Sequence, residues 1–256
     1  MRPQYPLLKN LLKRVLPKSI LLAASKMRSR AILRGFNGLS AKEAFTRIYS
    51  DELWGHDATN GIKYNSGIGS REPLAIQSYV GAVKGFITSL EHKPDLVDLG
   101  CGDFLVGSQI RPYCGRYVAC DIVDSLIAYN ADHYKDADVD FMVCDIIEDR
   151  LPDGEIATLR QVLQHLSNAQ ISKVLPKVAA KYKFLVLTEH LPLGDFIPNV
   201  DKQTGPGIRL ENKNPSGVVI TKPPFNLPLV KSCELCRVER MGGVIVTTLY
   251  GLPLSG

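Results

Sequence analysis

Three acids and two histidines in the middle of the chain stand where a chemical site would need them. The first acid lies in the run Leu96-Val97-Asp98-Leu99-Gly100-Cys101-Gly102-Asp103-Phe104. An apolar stretch passes there straight into glycines, whose missing Cβ lets a ligand approach the backbone. The second acid, Asp121, ends the run Val118-Ala119-Cys120, about 20 residues beyond the glycines, where a carboxylate can accept both hydroxyls of a ribose. The third, Asp145, ends Met142-Val143-Cys144, with Ile146 after it to flank an aromatic ring while the acid takes an amino group. Each acid alone could be a helix cap or a turn residue. Three at the tips of three successive strand-like runs are harder to explain that way. His165 follows the fourth such run, and Glu189 with His190 ends the fifth. An imidazole so placed can take a proton from a nucleophile at neutral pH.

The glycines select among ligands. A dinucleotide turn needs a third glycine where Leu105 stands, and Gly107 comes two residues late. No Walker lysine is present either. Asp98, two residues before the first glycine, would repel a phosphate. It suits a ligand carrying an ammonium group, such as the methionine end of S-adenosylmethionine.

These residues require elements that hold them. Short apolar runs at 95–99, 116–121, 139–144, 155–160 and 184–189 read as strands, and amphipathic stretches near 103–112, 122–134 and 168–182 as helices. Alternation of this length predicts a parallel sheet with helices on both faces. Upstream, apolar spacing predicts a helix over 72–92, and Ser40 caps a short one over 41–49. Gly-, Ser- and Asn-rich sequence at 55–70 reads as a structured loop. Beyond a Pro- and Gly-rich segment reaching about residue 228, runs at 229–235 and 243–250 flank Met241-Gly242-Gly243. They predict an antiparallel hairpin at the C-terminal edge of the sheet.

Charge divides the chain. Residues 1–42 hold ten Lys or Arg and no acid, leaving 21 of the 31 bases against 26 acids in the rest. Two regions follow, a basic helical N-terminal extension over 1–50, with Pro17 as a break, and a catalytic body over 51–256. The extension could be a solvated helix pair packed on the body, a transit peptide, or an amphipathic arm for an anionic membrane or a partner. No run approaches the ~20 apolar residues that span a bilayer. The six cysteines are scattered, several of them in strand-like runs, which suits reduced thiols in the cytoplasm. Cys233 and Cys236 form a lone CxxC with no second pair, so no metal is expected.

The motifs DLGCGDF, ACD, CDI and LRQVLQHLS at these spacings resemble the class I S-adenosylmethionine-dependent methyltransferases over about 50–250. Within them, the chain resembles a bacterial and viral subgroup associated with glycan biosynthesis. The shared features are Trp54-Gly55, the loop Ser66-Gly67-Ile68-Gly69-Ser70, CGD in the glycine turn, His-Leu-Ser after strand four, and Pro223-Pro224-Phe225-Asn226-Leu227-Pro228. Two departures stand out: members often carry Pro where Gly100 stands and Asp where Gln161 stands. The resemblance implies a Rossmann-like α/β fold with S-adenosylmethionine as cofactor. It implies cofactor contacts from Trp54, Gly69, Ser70, Asp98, Gly100, Cys101, Gly102, Asp103, Asp121, Ile122, Asp145, Ile146 and Gln161. The acceptor is then a saccharide or glycan hydroxyl, with His165 as the first candidate base and His190 the second. Methylation of nucleic acid is the alternative, along with other small molecules. Against nucleic acid stand the net-acidic body, the lack of an aromatic-and-basic binding module, and the lack of an Asn/Asp-Pro-Pro-aromatic motif after strand four.

Overall fold

The computed structural model describes residues 32–55, 63–67 and 69–253. Most of the basic helical extension expected over 1–50 lies outside them, as does part of the 55–70 loop. The chain divides into Met1–Gly38 and Leu39–Gly256, and every element below belongs to the second unit.

Seven strands form one sheet in the order β3-β2-β1-β4-β5-β7-β6. They are β1 (Leu96–Leu99), β2 (Tyr117–Asp121), β3 (Asp140–Val143), β4 (Ile156–Arg160), β5 (Phe184–Leu191), β6 (Lys231–Arg240) and β7 (Gly243–Gly251). The first five run parallel, and β7 is antiparallel to both β5 and β6. This is the expected α/β architecture, with its hairpin at the C-terminal edge. The helices are α1 (Ala41–Ser50), α2 (Pro73–Thr88), α3 (Gly107–Ile110), α4 (Asp124–His133) and α5 (Asn168–Lys181).

Burial explains why the inner parallel strands were legible. Every residue of β1 and β2 is buried, because helices cover both faces and leave no polar side for alternation. On one face Val174, Leu175 and Val178 of α5 pack with Val97, Leu99 and Leu159. On the other, Tyr79, Val83 and Ile87 of α2 pack with Leu96, Ala119 and Ile156. Ala41 of α1 joins the first cluster, so the segment grouped by charge with the arm contributes to the body's core. Ser40 and Glu43 cap α1 reciprocally, with Glu43 N–H donating to Ser40 Oγ at 3.2 Å and Ser40 N–H to Glu43 Oε2 at 2.8 Å.

Two elements depart from expectation. The helix over 103–112 shrinks to α3 and a following 3-10 turn at Arg111–Tyr113. Phe104 takes φ +58°, which no right-handed helix accommodates. That conformation buries its ring completely, edge-on to Tyr117, Tyr134 and Phe141. At the hairpin, the first strand runs on to Arg240 with a bulge between Glu234 and Cys236. Its last residues are charged and exposed, as an edge strand permits. Met241 and Gly242 both take positive φ (55° and 75°), a mirror-image turn whose twist matches that of the strands.

The chain leaves β1 to one side for β2 and reaches β4 on the other. The crevice where these directions part, at the carboxyl ends of β1 and β4, is where open α/β sheets bind ligands.

Candidate functional site

The glycine turn after β1 forms the floor of that crevice. Gly100 and Gly102 take φ +85° and +55°. A Cβ on Gly100 would lie 2.5 Å from Val162 Cγ2, and one on Gly102 would lie 2.4 Å from Ser66 Oγ. Gly100 and Cys101 N–H both donate to Cys120 O at 2.8 Å. Asp121 at the tip of β2 accepts from Gly102 N–H and Val123 N–H, each at 3.1 Å. The Asn130 side chain of α4, wholly buried, donates to Gly102 O at 2.7 Å. The carboxylate is therefore fixed by the turn it faces.

A loop closes the crevice from above. Ser66 and Asp103 bond reciprocally, with Asp103 N–H donating to Ser66 Oγ (2.8 Å) and Ser66 N–H to Asp103 Oδ2 (3.1 Å). Arg71 adds a two-pronged contact to the same carboxylate at 2.9 and 3.0 Å. Tyr49 OH shares a 3.1 Å hydrogen bond with Ser66 Oγ. Gln161, in the left-handed region at φ +58°, donates to Gly69 O at 3.3 Å. Arg160 Nη1 donates to Ser70 O at 3.2 Å. Asp103, Gly69, Ser70 and Gln161 thus hold the loop on the turn.

Two cavities share the walls Ser66, Gly100, Gly102 and Arg160. The first encloses about 660 Å³ out to its mouth and is lined by Asp121, Ile122, Asp145, Ile146, Gln161 and His165, among others. Trp54 roofs it, its indole N–H held by Pro206 O at 3.1 Å and its ring 4.9 Å from that of His165. The second, of about 460 Å³, is lined by Asp98, Cys101, Asp103, Ser70 and Arg160.

Burial sets the electrostatics. Desolvation raises the Asp121 carboxyl to about 6, against the pull of the Val123 and Gly102 amides. It raises Asp98 as well, although Thr158 (2.7 Å) and Tyr117 (3.2 Å) donate hydroxyls to its two oxygens. His165 moves the other way, pushed down to about 3 by burial and then by the charge of Lys202. Its Nδ1 lies 3.3 Å from Gly205 O, which requires a proton there, and its Nε2 then accepts from Gln164 Nε2 at 3.4 Å. An imidazole near its ordinary value of ~6.5 is thus replaced by one held neutral. Glu189, on β5 behind it, is raised to about 8 by burial.

The structure gathers Trp54, Asp121, Ile122, Asp145, Ile146, Gln161, His165 and the turn residues Gly100 and Gly102 at the first cavity. Asp98, Cys101, Asp103 and Ser70 meet at the second. Asp145 also serves its own turn, accepting from Ile147 N–H at 2.8 Å. His190 stands apart: it is buried, lines neither cavity, and its Nε2 bonds Arg240 O on β6 at 3.1 Å. Sequence reasoning passed over Asn130, Arg71, Thr158, Tyr117 and Arg160. For Arg160 a signal existed, namely a lone base closing the otherwise uncharged strand Ile156-Ala157-Thr158-Leu159. Among the described residues no group of side chains could hold a metal ion, and no helix is long and apolar enough to cross a membrane.

No protein-family model matches the chain, and no curated protein does. Solved structures do match. The N-methyltransferase NodS from Bradyrhizobium japonicum WM9, in complex with S-adenosyl-L-homocysteine, is 12% identical with a TM-score of 0.53, covering 71% of this chain and 88% of that one. Magnesium protoporphyrin IX methyltransferase from Synechocystis PCC 6803, with bound S-adenosylmethionine, is 13% identical with a TM-score of 0.54, covering 84% and 99%. The N-terminal domain of EvdMO1, in the presence of S-adenosylhomocysteine and D-fucose, is 12% identical with a TM-score of 0.52, covering 85% and 99%. The fold is therefore the Rossmann-like fold of methyltransferases.

Proposed function

We propose that the chain transfers a methyl group from S-adenosylmethionine to an acceptor hydroxyl on a saccharide or glycan intermediate. The observation that carries this reading is the pair of joined cavities astride the glycine turn. One is edged by an acid at the tip of β2 and an acid-isoleucine pair beyond β3, and the other is floored by Asp98. In the first, Asp121 would hold the ribose, and Asp145 with Ile122 and Ile146 the adenine. In the second, Asp98 would face the ammonium. The bound cofactor would supply a methyl group already activated on a sulfonium.

The remaining work falls to positioning and to one proton. Trp54, Phe45 and Tyr49 form an aromatic wall, with ring centroids 6.1 and 5.4 Å apart around the indole, which shields the reacting centre from water. Such a wall also suits the CH faces of a sugar ring. His165 would take the acceptor's proton at Nε2 by exchanging the Gln164 amide for the acceptor hydroxyl, and its low basicity makes it a weak general base. The saccharide reading draws on the glycan-subgroup motifs and agrees with the D-fucose in the EvdMO1 structure. Methyl transfer from labelled cofactor into glycan extracts of the source cell tests it; label entering nucleic acid instead would refute it.

Cofactor binding has its own test. Calorimetry should detect S-adenosylhomocysteine and no comparable binding of NAD. Asp121→Ala should weaken that binding by about 1–3 kcal/mol, the scale of hydrogen bonds to a charged group. The ten bases of residues 1–42 carry a separate proposal, peripheral contact of a cytoplasmic protein with anionic membrane, at about 1 kcal/mol for each base reaching the surface. Deleting residues 1–39 should abolish salt-sensitive vesicle binding and leave cofactor binding in place. A full-length chain that ignores anionic vesicles at low salt would remove the proposal.

A further inference from the structure

Arg160 closes β4 with a charge that the protein leaves unanswered. Its Nε and Nη2 are shut off from solvent and have no hydrogen-bond partner. Only Nη1 is engaged, on Ser70 O at 3.2 Å. The guanidinium lies 5.2 Å from the centre of the Tyr79 ring, and it forms no ion pair among the described residues. A guanidinium does not shed its proton in a protein, so this charge cannot be neutralised in the way a buried carboxyl can. Burying it unpaired is costly. Such a cost persists where something outside the protein supplies the missing partner.

The surroundings say what that partner is. Arg160 lines the second cavity together with Asp98 and Asp103. Asp103 is already committed to Arg71, at 2.9 Å. One acid, Asp98, and one base, Arg160, then remain without a salt bridge at the wall of the same cavity. Parallel pairing sets Asp98 beside Thr158. Arg160, two residues further along β4, stands on the same face one layer nearer the mouth. An acid and a base set one layer apart along a small cavity complement a zwitterion, and an α-amino acid group is one.

We infer that the Arg160 guanidinium, at the wall of the second cavity, binds the α-carboxylate of the cofactor's methionine moiety. Tyr79 and Ser70 O hold the guanidinium plane in place. This rests on the reading of the cleft as an S-adenosylmethionine site and adds to it the group that recognises the amino-acid end. Two parallel N–H donors match a carboxylate bidentately, as a lysine ammonium cannot.

Calorimetry with S-adenosylhomocysteine and its decarboxylated analogue tests the assignment without turnover. The wild type should prefer the carboxylate-bearing ligand by about 10- to 100-fold. Arg160→Met should lose that preference while keeping the wild-type affinity for the decarboxylated analogue. Arg160→Lys should recover only part of it. Because the substitution removes an unpaired buried charge, the melting temperature of ligand-free Arg160→Met should equal or exceed that of the wild type. Equal weakening of both ligands, or an unchanged preference in Arg160→Met, overturns the inference and leaves the cofactor reading standing. A wild type that binds neither ligand takes both down. A variant that keeps S-adenosylhomocysteine affinity but needs more acceptor would assign Arg160 to the acceptor and likewise overturn it.

Discussion

On the β1–β3 side of the cleft, each acid already has donors within the protein. Asp121 has two backbone amides, Asp145 one, Asp98 two hydroxyls, and Asp103 the Arg71 fork with the Ser66 amide. On the β4–β5 side, buried polar atoms go without. Of eight such unpartnered side-chain atoms among the described residues, seven belong to Arg160, Gln164, Asn168, Glu189 and Arg209. Asn130 supplies the eighth. The contrast follows from what each side has to do. Carboxylates with fixed amides form a rigid template for a ligand of constant shape. Unanswered donors and acceptors store a cost that an incoming ligand or a shift in protonation must meet. The β4–β5 side is therefore where substitutions should act on chemistry and on pH response. Affinity for the cofactor should depend on the β1–β3 side and, at the amino-acid end, on Arg160.

His165→Ala gives the largest expected effect. Loss of positioned acid–base catalysis typically costs 10²–10⁴-fold in kcat, and the low basicity of this imidazole places the loss near the lower end. S-adenosylhomocysteine affinity should change little. Because the ring is neutral well below physiological pH, the wild-type rate should show no step near pH 6.5 from this residue. A variant retaining more than about a tenth of the rate would remove His165 from the mechanism.

Glu189 comes next and tests the unanswered side through stability. Its folded value of about 8 lies above the ordinary 4.5. The folded state therefore holds a proton that the unfolded chain releases. Stability is complete below about pH 4.5 and falls as pH rises toward 8, by about 1.4 kcal/mol per pH unit at most. Glu189→Gln, which keeps the shape and cannot ionise, should lack this slope and gain on the wild type in melting temperature between pH 6 and 8. Parallel curves for the two proteins would mean that Glu189 has a partner after all.

How much of this was legible beforehand depended on the reach of each signal. Among the parallel strands β1, β2, β4 and β5 were plain because burial on both faces leaves largely apolar runs, whereas β3, at the sheet edge, is mostly exposed. Asp98, Asp121 and Asp145 were plain because a site at strand tips writes itself into a few consecutive residues. Phe104 was not, since its positive φ serves a ring cluster assembled from β2, the residue capping α4, and β3. Nor was the far half of β6, whose charged edge hides its period. The unanswered side was least legible of all. The basicity of His165 depends on Lys202 and Gly205, some forty residues away, and the isolation of Arg160 is a lack of partners that spacing cannot express.

The smallest expected effect belongs to Asp145, where the tied and the ligand-facing roles meet in one side chain. Its Oδ1 accepts Ile147 N–H at 2.8 Å, and its own N–H donates to Asp149 Oδ2 at 2.8 Å. A pure turn residue would need nothing more. As an adenine contact, it should also accept the exocyclic amine, a hydrogen bond of about 0.5–1.5 kcal/mol. Asp145→Asn keeps a side-chain oxygen for the turn and should leave the fold as stable as before. Asp145→Ala loses both bonds. The two roles separate on the ligand: the inosine counterpart of S-adenosylhomocysteine has a carbonyl in place of the amine. If Asp145 reads the amine, Asp145→Ala should weaken the adenosyl ligand and leave the inosyl one unchanged or slightly improved, since an acid facing a carbonyl repels it. If both ligands weaken together, Asp145 acts only through its turn, and recognition of the base falls to the apolar contacts of Ile122 and Ile146.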